Sequence, residues 1–149
     1  MGRKKKSGPP PKLATSYDSH KHHIFLYDDI LDSPAFLALS HHARSLYIHL
    51  YQKYTGPYSR NNIICTYSEL EKKGFRRNTT AKALRMLLHF GFISYESGGL
   101  EHQPNVYHLE EGWKKIFTQE DVDRAMKAYK DELALKEAGA AQKKVFMSS

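Results

Sequence analysis

A chain of 149 residues, 40 % of them hydrophobic, can fill one core of ordinary size and still carry tails. Its single cysteine, Cys65, excludes an internal disulfide and fits a reducing cytoplasm, and no stretch nears the roughly 18 consecutive apolar residues of a membrane span. The net charge of +7 points to a polyanionic partner, nucleic acid foremost.

The chain opens with GRKKK and SGPPPK, which can bury little, so residues 1–23 are expected as a disordered basic tail. This basic start lacks the apolar stretch that a secretory signal needs. Ile24, Phe25, Leu26, Ile30 and Leu31 begin the apolar pattern, as an arm packed on the domain. Ser33-Pro34 is a helix start, because proline at the first helical position gives up an N–H that is orphaned there anyway. Ser40 is a second cap, followed by Ala43, Leu46, Tyr47, Leu50, Tyr51 and Tyr54 on one helical face that ends at Thr55-Gly56-Pro57. Asn62 to Thr66 is short, β-branched and apolar, and reads as a strand.

Ser68 is the expected cap of a short helix, SELEKK, closed by Gly74. A turn through Phe75-Arg76-Arg77 leads to Asn78, the expected cap of a longer helix that ends at Gly91. Its inward stripe is Thr80, Leu84, Leu87 and Leu88; its outward face is predicted to carry Thr79, Lys82, Arg85, Met86 and His89. Phe92 to Tyr95 and Asn105 to Leu109 then read as two strands joined through Ser97-Gly98-Gly99. Thr118 and Asp121 form a capping box for a last helix with an apolar stripe of Val122, Met126, Tyr129 and Leu133. The order helix, strand, helix, helix, strand, strand is that of a winged helix-turn-helix. The expected class is therefore mainly α with a small β-hairpin (α+β), with an additional C-terminal helix. Residues 1–23 are the tail, 24–112 the winged-helix domain, and 113–149 the amphipathic helix and a frayed end.

Charge is segregated along the chain. Residues 1–23 hold six Lys/Arg against Asp18, and 24–112 hold nine against nine. Inside that neutral stretch, 60–85 carries seven Lys/Arg and only Glu69 and Glu71. A short helix, a tight turn and a longer helix with polar residues outward suit insertion into a DNA major groove. On this reading Asn78, Thr79, Lys82 and Arg85 face base edges, while Lys72, Lys73, Arg76, Arg77, Tyr67 and Ser68 hold phosphates. The hairpin is the wing, with Tyr95, Gly98, Gly99 and His102 as its contact candidates.

The stretch NTTAKALRMLLHFGFI before a Gly-turn hairpin resembles winged-helix proteins of bacterial phages, plasmids and integrated elements. So do LDSPAFLALSHHARSLYIHLYQKYTG, NNIICTYSEL and the MGRKKK start, which together cover residues 1–109. The resemblance implies sequence-specific binding of double-stranded DNA, in transcriptional regulation or replication control of a mobile element. The wing departs from the family pattern, since Glu96 and Glu101 flank Gly98-Gly99 where Lys or Arg is usual.

Other features carry less. His20, His22 and His23 lack a fixed fourth ligand, so no metal site is expected. His20-Lys21-His22 resembles the His-x-His spacing of rolling-circle nucleases, but those place a hydrophobic residue where Lys21 stands, so that activity is not expected. Cys65 reads as buried filler, and Tyr47, Tyr51 and Tyr54 as core packing. No phosphate-cradling loop or acid–base carboxylate pair is present, so neither catalysis nor a cofactor is expected, and no small-molecule ligand or membrane partner. The apolar stripe of the last helix makes a homodimer possible. The alternative function is a protein–protein interaction module using the winged helix and the C-terminal helix.

Overall fold

The computed structural model describes residues 23–54, 61–98 and 104–148 of the chain. In order these form α1 (Asp28–Leu31), α2 (Pro34–Ala38), α3 (His41–Gln52), β1 (Ile63–Ile64), α4 (Tyr67–Lys72), α5 (Arg77–His89), β2 (Ile93–Glu96), β3 (Val106–Leu109), a 3₁₀ turn (Gly112–Lys115) and α6 (Gln119–Ser148). The α+β expectation holds: the described chain is mainly helical, with one antiparallel sheet ordered β1-β3-β2. No helix among the described residues is long and apolar enough to cross a membrane.

Local chemistry sets the helix ends. Ser33 accepts the Phe36 N–H at 3.1 Å and Ser40 accepts that of Ala43 at 3.2 Å, so both are N-caps. Thr118 and Asp121 cap each other reciprocally at the start of α6. Two caps differ from expectation. Thr66, not Ser68, caps α4 by accepting the Glu69 N–H at 3.1 Å, and Ser68 lies exposed in the first turn. Asn78 is no cap either, because α5 begins at Arg77, after an N-cap Arg76 that offers no side-chain acceptor. The buried Thr80 hydroxyl donates to the Arg76 carbonyl and steadies that first turn.

Helices α4 and α5 end alike. Phe75 N–H returns to the Leu70 carbonyl and Gly74 N–H to that of Glu71; Phe92 and Gly91 do the same to Leu87 and Leu88. Both are Schellman closures, and Gly74 (φ 93°) and Gly91 (φ 77°) supply the left-handed residue each requires. The two glycines differ in surroundings. A Cβ on Gly74 would meet nothing, whereas one on Gly91 would fall 2.6 Å from the backbone of Gly112.

In the sheet, β2 and β3 pair from Ile93↔Leu109 to Glu96↔Val106, and β1 adds Ile63↔Tyr107 and Ile64↔Val106. Asn61 extends this short edge with its side chain. Held at φ 59°, it donates from Nδ2 to the Leu109 carbonyl and accepts the Leu109 N–H, each at 2.7 Å. The turn residues Gly99 and His102 lie outside the described residues.

The core lies between α3 and α5 and over the sheet. α3 contributes Ala43, Leu46, Tyr47 and Leu50, while α5 contributes Thr80, Ala83, Leu84 and Leu87. Met86 joins them, contrary to its expected outward place. It lies three residues after Ala83 and four before Phe90, which are both buried, and its sulfur accepts the Ser40 N–H. The Phe92 ring is edge-on to Tyr47 at 5.1 Å and stacks on Trp113 at 6.0 Å with 8° between planes. Trp113 is therefore core, and the boundary expected after Gly112 falls within continuous packing. Val122, Ala125, Met126 and Tyr129 of α6 pack against the same core, so most of the apolar stripe of α6 already has an intramolecular partner.

Candidate nucleic-acid interface

Arg76 and Arg77 stand exposed at the start of α5, where no side chain caps the first-turn N–H groups. Orphan N–H groups and the positive end of a 13-residue helix both favour an anion there. Asn78 and Lys82 follow on the exposed face, and Thr79 is half-buried beside them. On α4, Lys72 and Lys73 are exposed and precede the Gly74 closure that leads into α5. Lys73 lies 3.5 Å from the Gln52 amide oxygen, and Arg77 sits 5.3 Å over the Tyr67 ring. Tyr67 thus supports an arginine and is half-buried itself.

None of Lys72, Lys73, Arg76, Arg77 or Lys82 forms an ion pair with a carboxylate among the described residues. Two acids of α4 precede this group: Glu71, exposed and adjacent to Lys72 in sequence, and Glu69, which is bound by Lys53. That hydrogen bond, opposed by burial, holds its carboxyl below the ordinary glutamate range. The charge of Lys73 also acts on Glu69, so the surface is cationic in excess, with Arg76, Arg77 and Lys82 at its α5 end.

The second half of the outward face differs. At about 100° per residue, Asn78, Lys82, Arg85 and His89 share one strip opposite Leu87. Arg85 is half-buried: it lies 5.3 Å over the Tyr95 ring and 3.3 Å from a Glu132 oxygen of α6. The other Glu132 oxygen meets His89 Nε2 at 2.5 Å. The Tyr129 ring lies 6.4 Å from that of His89, and Lys136 stands 3.9 Å from Glu132. Burial raises the Glu132 carboxyl, but the His89 hydrogen bond and the charges of Arg85, His89 and Lys136 outweigh it and hold the group below its ordinary value. Glu132 and Tyr129 were not among the expected site residues. They lie 40 or more residues from their partners on α5, and only the amphipathic stripe through Tyr129 hinted that α6 packs anywhere.

On the hairpin, Tyr95 is half-buried between Arg85 and Tyr107, and the Gly98 N–H donates to Asn105 at 3.3 Å. The wing contact assigned to Tyr95 is therefore partly taken up internally. His20 and His22 lie outside the described residues. Burial pushes the Cys65 thiol up, which keeps it a poor nucleophile.

A separate recess of about 400 Å³ is lined by Tyr27, Tyr47, Tyr51, Tyr54 and Trp113 together with Asp29, Glu110 and Glu111. Its carboxylates oppose phosphate, so it is no part of the cationic surface. The chain matches no protein family model, and neither a curated protein nor a solved structure matches it.

Proposed function

We propose that this chain binds double-stranded DNA as a winged helix-turn-helix, in regulation or replication control of a mobile element. The fold part of this reading is supported by the element order and by β1 pairing with β3 beside the β2–β3 hairpin. The observation that carries the function is the unpaired cationic group Lys72, Lys73, Arg76, Arg77 and Lys82 around the uncapped start of α5. These five cations come from two consecutive helices and the turn that joins them, and none has a carboxylate within ion-pair distance among the described residues. In the bound state the first turns of α5 enter the major groove, where Asn78, Thr79 and Lys82 meet base edges. Arg76, Arg77, Lys72 and Lys73 then neutralise flanking phosphates, and the hairpin lies along the neighbouring groove.

The test is binding of the full chain to random-sequence duplex DNA over a salt series. Each phosphate neutralised contributes a slope of about −0.9 in log K against log salt, so the four phosphate-facing cations set a slope magnitude of about 3 to 4 from this surface. Arg76→Ala with Arg77→Ala should weaken binding and shallow the slope by about 2. Absence of binding at low salt would overturn the reading and favour the protein-interaction alternative.

A further inference from the structure

We propose that α6 is a cover over the DNA-reading face of α5, held by Glu132, and that it lifts when DNA binds. This rests on the DNA-binding reading above and adds the regulation of that same surface. The outward strip of α5 is open at Asn78 and Lys82 and closed at Arg85 and His89, where both Glu132 oxygens are engaged. The carboxylate occupies Arg85 as a phosphate oxygen would, so α6 satisfies the cation that a duplex would otherwise take.

The path of α6 extends the obstruction. Past Glu132, Lys136 lines the notch between α5 and the hairpin, together with Tyr67, Arg85, Tyr95 and Tyr107. A duplex contacting both α5 and the hairpin has to pass over that notch. Toward the open end the cover stops at Tyr129, which borders a recess of about 300 Å³ with Asn78, Thr79 and Lys82.

The two parts of α6 are held differently, and this makes the cover releasable. Val122, Ala125, Met126 and Tyr129 pack on the core and anchor the first turns. From Glu132 onward the contacts to α5 are chiefly polar, Leu135 is 75 % exposed, and Gly139 has open space where a Cβ would be. Ion pairs between partly exposed groups hold weakly, so duplex contacts can displace them without disturbing the anchor. By linkage, whatever lifts α6 must raise DNA affinity, and DNA must loosen α6 by the same factor.

The experiment compares the full chain with Glu132→Ala, using Glu120→Ala as the charge-matched control on the exposed start of α6. Affinity for random duplex DNA at low salt is read alongside amide hydrogen exchange of residues 130–142 with and without DNA. Glu132→Ala should bind about tenfold more tightly than Glu120→Ala, and in the unaltered chain DNA should speed exchange in that stretch. Equal affinities, with exchange unchanged or slowed by DNA, would overturn the cover and leave DNA binding standing. No binding by any of the three proteins would remove the DNA-binding reading, and the cover with it.

Discussion

The two ends of α5 present the same kinds of side chain in opposite circumstances. At its start, Arg76, Arg77 and Lys82 face outward without ion-pair partners among the described residues, after a Gly74 turn with open space around it. At its end, Arg85 and His89 lie beneath Glu132, and the closing Gly91 is pressed against Gly112 and Trp113. A basic helix face is thus not one functional unit. Which cations can meet a polyanion is decided by what packs across the helix.

Leu87→Ala tests what the two ends share. Leu87 is fully buried under the last turns of α5, in the core on which the whole helix packs, so its truncation should cost about 2–5 kcal/mol and loosen both ends. A thermal melt within a degree of the wild type would refute the placement. Gly91→Ala comes next: the left-handed backbone costs roughly 1–2 kcal/mol, and the Gly112 contact adds to it. Gly74→Ala should cost only about 1 kcal/mol, since its Cβ meets nothing. Denaturant titration of the pair should separate them, and equal losses would mean that the two turns are not differently packed.

The comparison sharpens further on DNA. Lys82→Ala should weaken binding at every salt concentration tested, while Arg85→Ala should weaken it less because its partner Glu132 is freed with it. Larger loss from Arg85→Ala would place the contact surface at the covered end instead. The smallest effect is in pH. A carboxyl whose folded value is lowered, like that of Glu132, adds stability above its unfolded value of about 4.3 and loses it as pH falls through the folded value. The stability difference between wild type and Glu132→Gln should therefore be present at about pH 5 and shrink below about 4.3. A difference independent of pH would show that the carboxylate charge does not hold α6.

Much of this was legible locally. Ser33-Pro34, Ser40 and the Thr118–Asp121 box act within one helical turn, so residue type and spacing suffice to place them. Thr66 was equally legible, since Thr-Tyr-Ser-Glu is itself a capping-box pattern; the more obvious Ser68 competed for the same role. Met86 was misplaced because one face of α5 was read against a single direction of burial, while α3 and α6 both pack on this helix and the Ser40 N–H meets the Met86 sulfur. Asn61 gave no pattern at all: its value lies in matching the backbone of Leu109, 48 residues away.

From its sequence alone, the chain is determined as a mainly helical α+β protein with a β-hairpin, two glycine-closed helices and a cationic segment between them. Those features follow from periodicity, capping and turn chemistry, which act over a few residues. Only the tertiary structure decided that Trp113 completes the core, that Gly91 must admit the Gly112 backbone, and that Glu132 closes over Arg85 and His89. Each of these joins segments about 20 or more residues apart, and the energies involved depend on contact and burial that no local pattern encodes.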